Sequence, residues 1–354
     1  MRSRFIILSI LLAIPAFAQY TAQRNGDVVR LADGRAQTEI SIATAVGNVA
    51  FEMKVKGHNI LRFPFASVDE FKSKPSLSGI PLLAPFANRL DETAFYANGK
   101  KYPFNMELGN VRGPRPIHGF VTYTPQWRVI EVKADERSAW VTSRLDFYRQ
   151  PDWMAQFPFA HTIEITHRLS EGVLEVHTKV QNLSDETMPL SIGFHPYFQL
   201  TDSPRNEWTI SVGAGKHFLL DSNKIPTGET EAIEKFFPDP SHAALNDYSL
   251  DHVFGDLIRD SSGRAVMSVK GRSQKLDVLL GANYRAAVLF SPGGGNPAPA
   301  GGTPRPVQNF ICFEPMVGIT DAMNLAHKGL YKELQTIAAG ATWEERFWIR
   351  PSGF

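Results

Sequence analysis

The chain has 354 residues, 43% hydrophobic and 11% aromatic, which is ample for a sizeable core and excludes the low-complexity and disordered classes. With 37 basic against 36 acidic side chains the formal charge is +1, so there is no basic field to gather nucleic acid or anionic lipid. Cys312 is the only cysteine, which excludes an intrachain disulfide, and its setting between Ile311 and Phe313 predicts a buried, unreactive thiol.

In chain order, the first element is a leader. Met1-Arg2-Ser3-Arg4 is a short basic region, Phe5 to Ile14 is mostly apolar and closed by Pro15, and Ala16-Phe17-Ala18 fits the small-x-small cleavage pattern. The apolar run is too short for a permanent membrane anchor. Residues 1–18 therefore read as a signal peptide, with export to the periplasm or outside the cell and a chain that begins at Gln19. Losing Arg2 and Arg4 leaves 35 basic against 36 acidic side chains, a shift from +1 to −1.

Beyond the leader, period-2 alternation dominates. In Val173 to Val180, Leu174, Val176, Thr178 and Val180 share one face, opposite Glu175, His177 and Lys179. Similar strand patterns occupy 139–147, 161–169, 208–212, 276–280, 287–290 and 345–349, with turn signals at Asn98-Gly99, Ser170-Glu171-Gly172 and Ser261-Ser262-Gly263. Helical patterns are short: 68–72, and 328–338 with Leu330, Leu334 and Ile337 at helical spacing. Many strands and few helices predict an antiparallel sandwich or barrel. Composition shifts sharply only at 292–306, where five glycines and five prolines in fifteen residues read as an irregular insertion within one domain.

Four polar constellations sit in apolar, strand-like context. Arg89, in Pro85-Phe86-Ala87-Asn88-Arg89-Leu90, follows the apolar run 80–87; it either pairs with a carboxylate or presents its fork to a ligand's oxygens. His118, in Pro116-Ile117-His118-Gly119, precedes a glycine that permits close approach of backbone or ligand. His195 precedes Pro196, and Glu314 precedes Pro315, so both read as residues at strand ends where proline stops the ladder. Each alone has a bland reading as a satisfied strand-end residue. As a set, an ionised Glu suits a base and a His carries and donates a proton, so the two can act on a substrate that loses a proton at one oxygen and gains one at another.

Competing chemistries fit less well. There is no Gly-x-Ser-x-Gly elbow, and Gly293-Gly294-Gly295 lacks the strand-to-helix context of a phosphate loop. No His-x-His, His-Glu-x-x-His or Cys-x-x-Cys is present, so a metal would have to gather His118, His195 and Glu314 from distant strands. His177 reads as an outward strand position, His161 and His167 sit in an alternating strand, and His252 reads as structural support for Asp251.

These residues, in order, resemble the aldose 1-epimerase (mutarotase) family. The match runs from Gly79-Ile80-Pro81 and Ala87-Asn88-Arg89 through Ile117-His118-Gly119, with Trp127 downstream. It continues through His195-Pro196-Tyr197-Phe198-Gln199-Leu200 and Leu250-Asp251-His252-Val253-Phe254 to Phe313-Glu314-Pro315. His-x-Tyr-Phe-x-Leu and the late Glu-Pro are the specific signals. The resemblance implies a large antiparallel β-sandwich of the galactose mutarotase type with few short helices, one domain over residues 19–354. It implies Glu314 as general base on the anomeric hydroxyl and His195 as general acid on the ring oxygen. Asn88, Arg89, His118 and Asp251 match positions that hold sugar hydroxyls, with Tyr197 a weaker candidate. The implied partner is a monosaccharide, with no cofactor or metal, no nucleic acid and no membrane anchor once the leader is removed.

Two alternatives stand beside this: a carbohydrate-binding protein without turnover on the same fold, and a hexose-6-phosphate 1-epimerase. Residues 79–90, "GIPLLAPFANRL", are closer to the family's divergent branch, some members of which act on hexose 6-phosphates with extra basic residues. Arg112 and Arg115 are candidates for that role, although solvated loop charges explain them as well.

Overall fold

The computed structural model describes residues 19–109, 111–293 and 308–354. The expected leader, residues 1–18, lies outside them, as does all of the 292–306 segment except Pro292 and Gly293.

Two large antiparallel sheets carry the fold. The first has nine strands, in the spatial order Arg128–Ala134, Ala139–Asp146, His161–Ser170, Val173–Asn182, Thr342–Ser352, Lys275–Leu280, Ala265–Lys270, Thr209–Val212 and Ala243–Ala244. The second, of eight, runs Pro226–Ala232, Ala214–Leu220, Leu250–Leu257, Ala286–Ser291, Ile311–Met316, Gly193–Phe194 and Leu82–Leu83, with Tyr197–Phe198 also paired to Ile311–Met316. A five-stranded antiparallel sheet, Tyr20–Asn25 to His58–Asn59, precedes them in the chain.

The alternation read from the sequence is what permits the sandwich. Leu174, Val176, Thr178 and Val180 are all buried on one face of Val173–Asn182. One core cluster draws on both large sheets, Val176 and Phe347 from one and Phe254, Leu289 and Phe313 from the other. The rings of Phe194 and Phe347 meet across it at 5.0 Å. Phe313 is fully buried, and truncating such a side chain to alanine costs about 3–5 kcal/mol. The turn signals hold too: Asn98 with Gly99, and Glu171 with Gly172, take the paired positive φ values that a two-residue hairpin needs.

Helices are few. Val68–Ser73 matches the expectation, with the Ser67 hydroxyl accepting from the Glu70 N–H (3.1 Å) and the Glu70 carboxylate accepting from the Ala66 N–H (2.7 Å). The helix expected over 328–338 does not form. The helix is Ala322–His327; the chain turns at Gly329 (φ 74°), and Gln335–Ile337 pairs as a strand with Met188–Leu190. The spacing of Leu330, Leu334 and Ile337 reflects strand pairing and surface positions, since Leu330 is exposed. Among the described residues no helix is long and apolar enough to cross a membrane.

One buried cation pins two strands of the second sheet. Arg205, fully buried, donates from Nε to the Ser291 hydroxyl (2.8 Å) at the end of Ala286–Ser291, and its N–H donates to Asn309 Oδ1 (3.1 Å) just before Ile311–Met316. The Ser291 hydroxyl then donates to the Phe310 carbonyl (2.8 Å).

Candidate active site

Three of the singled-out residues come from the second sheet, and its register explains their meeting. Asp251 pairs with Phe290, Phe290 with Cys312, and Cys312 with Tyr197. One row along, Val253 pairs with Val288 and Val288 with Glu314. Directly opposed residues share a face, as do residues two apart, so Asp251, Phe290, Glu314 and Tyr197 all point to the same side. The register that pairs Gly193 with Met316 and Tyr197 with Cys312 places His195 opposite Glu314.

Proline acts differently from the strand-end reading. Pro315 lies inside Ile311–Met316, so Glu314 is mid-strand. At Pro196 the pairing stops after Phe194 and resumes at Tyr197, so the break is local. His195 is instead fixed from its other side, where its N–H donates to the Pro81 carbonyl (3.1 Å) and the Tyr197 N–H to the Gly79 carbonyl (2.8 Å).

The opposite wall is a pair of interlocked turns. Asn88 (φ 60°) and His118 (φ 62°) both adopt left-handed conformations. The His118 N–H donates to the Asn88 carbonyl (2.9 Å), and the Asn88 N–H donates back to His118 Nδ1 (3.2 Å). Gly119 (φ 62°) lies so close to Ala84 that a Cβ there would run into the Ala84 carbonyl, which is the close approach expected of this glycine. The Asn88–Arg89 turn is anchored from behind: the Asp91 N–H donates to Asp321 Oδ1 (3.2 Å), Asn324 donates to Asp91 Oδ1 (3.0 Å), and Lys328 pairs with Asp91 Oδ2.

Arg89 has the carboxylate partner that was one of the two expected for it. Its Nη2 donates to Asp251 Oδ2 (2.9 Å), and its Nη1 to Asp251 Oδ1 (3.3 Å) and Asn88 Oδ1 (3.0 Å), a bidentate ion pair set beside the cavity.

The cavity, about 390 Å³, is lined by all seven singled-out residues: Asn88, Arg89, His118, His195, Tyr197, Asp251 and Glu314. His195 Nε2 lies 3.3 Å from Glu314 Oε1, and Glu314 Oε2 has no hydrogen-bond partner among the described residues. Burial pushes the Glu314 carboxyl well above the usual range, helped by the Asp251 charge and opposed by Arg89. Burial likewise pushes the His195 imidazole down to about 3. His118 is pushed well below its ordinary value, by burial first and then by the neighbouring His195 and Arg89. Neutral, with Nδ1 accepting from Asn88, it carries its proton on Nε2.

Sequence reasoning missed the apolar lining: Leu77, Val111, Ile117, Tyr123 and Phe290. Phe290 was legible only as a strand residue, because its cross-strand neighbours Asp251 and Cys312 are remote in the chain. An adjoining cavity of about 380 Å³, lined by Arg115, Ser222, Asn223 and Lys224, shares Arg89, Arg112 and Asp251 with the first. Arg115 donates to the Asp91 carbonyl (2.8 Å).

The other singled-out residues fall where expected. Cys312 is fully buried, and burial raises its thiol. His252 bonds to His217 (3.0 Å) away from the cavity, His177 meets Glu344 (3.1 Å), and His161 and His167 are in the core.

The fold is a mutarotase-type β-sandwich. A profile of the aldose 1-epimerase family matches residues 27–350, and the chain belongs to that family. Its fold is similar to that of a galactose mutarotase-like protein from Clostridium acetobutylicum, at TM-score 0.79 and 22% identity over 95% of this chain and 98% of that one. It is also similar to galactose 1-epimerase from Lactobacillus acidophilus, at TM-score 0.69 and 15% identity over 95% and 98%. An aldose epimerase homologue from C. elegans matches at TM-score 0.68 and 17% identity over 94% and 98%.

Proposed function

We propose that the chain is an aldose 1-epimerase interconverting the anomers of a free monosaccharide, with residues 19–354 as one domain and 292–306 inserted in it. The observation that carries this reading is the buried His195–Glu314 pair, 3.3 Å apart at a cavity rimmed by Asn88, Arg89, His118 and Asp251. Glu314 takes the proton of the anomeric hydroxyl while His195 gives one to the ring oxygen. The bond between the anomeric carbon and that oxygen breaks, leaving an aldehyde. Rotation about the bond to the next carbon presents the other face, and reclosure returns both protons with the roles exchanged.

Burial tunes both partners for this work. A carboxylate with a raised pKa is a stronger base, and an imidazolium with a lowered one is a stronger acid. Ring opening moves the pair from its charged to its neutral form, the form that a buried site favours. Asn88, Arg89, His118 and Asp251 supply the donors and acceptors for hydroxyls, and Phe290 offers an aromatic face to the sugar's C–H surface.

The test is mutarotation of freshly dissolved α-anomers, followed by polarimetry or NMR. His195→Asn and Glu314→Gln should each lower kcat by about 10²–10⁴. Equal rates for the native and both variant proteins, with sugar binding retained, would leave a carbohydrate-binding protein without turnover.

A second reading, on a hexose 6-phosphate, is favoured by the adjoining basic cavity. There the side chains of Arg112 and Lys224 make no hydrogen bond or ion pair with the described residues. If it holds, Lys224→Ala lowers kcat/KM for the phosphorylated sugar and not for the free one.

A further inference from the structure

We propose that Tyr197 is a positioning residue for the acid of this reaction: its ring, stacked face to face on His195, holds the imidazole toward Glu314 and favours the imidazolium. The inference rests on the functional reading above.

The spacing places the two rings together. His195 and Tyr197 are two apart in an extended segment whose N–H groups both donate to the 79–81 segment, so their side chains leave on the same side. The ring centroids are 4.7 Å apart and the planes differ by 3°. Tyr197 is itself rigidly held: its strand pairs with Ile311–Met316, its N–H donates to the Gly79 carbonyl, and its carbonyl accepts from the Arg62 N–H (2.9 Å).

His195 needs such support. A catalytic imidazole is ordinarily oriented by a hydrogen bond from the nitrogen that does not react. Here, among the described residues, buried Nδ1 has no partner beyond its own residue. Aromatic contacts take that place: the Tyr197 stack, and edge contacts with His118 at 5.5 Å and Phe290 at 5.8 Å.

The stack also bears on charge. The charged and titratable groups facing His195 are Glu314 and Asp251, which favour the imidazolium, and Arg89 and His118, which oppose it. The face of a phenol ring is negative, so a stacked cation gains a share of about 2- to 30-fold over the neutral form. The Tyr197 hydroxyl is pushed well above its ordinary value, by burial first, so the ring is uncharged at neutral pH.

The test combines steady-state kinetics with NMR of ¹⁵N-histidine-labelled protein, bound to a sugar that lacks the anomeric hydroxyl and titrated from pH 7 down to pH 4. Tyr197→Leu should lower kcat about 2- to 30-fold with KM within about twofold, and move the onset of the His195 ¹⁵N shift change toward imidazolium to lower pH. Tyr197→Phe, which keeps the ring, should rescue both readouts. Phenylalanines at position 197 with successive fluorines preserve shape while weakening the negative face, so kcat should fall stepwise; this series decides the matter if Tyr197→Leu does not fold. Unchanged kcat and shifts in Tyr197→Leu, no dependence on fluorination, or a loss in Tyr197→Phe equal to that in Tyr197→Leu would each overturn the proposal. Absence of mutarotation by the native protein would instead sink the functional reading, while the ¹⁵N shifts still decide the stack.

Discussion

Arg89 and Asp251 are 162 residues apart in the chain, yet they face each other through two hydrogen bonds of 2.9 and 3.3 Å. The pair joins the interlocked turns to the second sheet, and on the proposed reading its exposed edge offers vicinal hydroxyls a donor and an acceptor side by side. Lysine keeps the charge but not the fork. Arg89→Lys should therefore raise KM for the sugar about 10- to 100-fold, the loss of one charge-assisted hydrogen bond, with a smaller effect on kcat. Initial rates over a range of sugar concentrations give the answer, and an unchanged KM would remove Arg89 from the binding site.

The pH dependence of kcat/KM follows from the proton that the His195–Glu314 pair holds. A second proton, on His195, blocks the reaction in acid, and loss of the shared proton blocks it in alkali. With His195 lowered to about 3 and Glu314 raised, the acid limb should lie well below 6.5 and the alkaline limb well above the usual carboxylate range. An acid limb at 6.5 or higher in rate measurements from pH 4 to 9 would show that His195 titrates like a solvated histidine.

Stability should fall in mild acid. His161 and His167 are buried and lowered to about 4 by that burial, whereas in the unfolded chain they titrate near 6.5. Between those values the unfolded state binds more protons, so stability present above 6.5 is lost as pH falls toward 4, by about 1.4 kcal/mol per unit for each histidine. His167 Nδ1 has no hydrogen-bond partner among the described residues, so His167→Leu removes its share without orphaning a polar group there. Melting curves at pH 7 and 5 should show a smaller drop in Tm for that variant; an equal drop would refute the assignment.

Asp321 acts with the opposite sign. Burial, first, and the neighbouring Asp91 charge raise its carboxyl to about 8, against 3.8 for a free aspartate. The native state then binds the extra proton, and stability fully present below 3.8 is lost as pH rises through 8. Asp321→Asn keeps the acceptor for the Asp91 N–H and should flatten the decline of Tm between pH 6 and 9. A decline as steep as that of the native protein would place its origin elsewhere.

Export is our proposal from the leader at residues 1–18. Mass spectrometry of the secreted protein should give a chain that begins at Gln19, and an intact Met1 terminus would overturn it.

Much of this was legible in the sequence, for reasons that differ by element. Period-2 alternation exposed strands such as 173–182 because one face is buried and the other wet. His195 and Glu314 stood out because ionisable groups in apolar runs require an account. What stayed hidden was long-range register. Nothing local says that Asp251, Phe290, Cys312 and Tyr197 form one row, so the aromatic wall and the stack on His195 appeared only with the sheet. The helix expected over 328–338 failed because a left-handed turn at Gly329 and pairing with Met188–Leu190 outweighed a helical spacing of leucines.

The buried Arg205 has a bearing on how this fold tolerates change. By tying Ser291 to Asn309 and Phe310, it sets the alignment of Ala286–Ser291 with Ile311–Met316 at their feet. The row that carries Glu314 is thereby aligned by a side chain remote in the sequence and outside the cavity lining, so a change at Arg205 is expected to reach Glu314 through the strands rather than through contact.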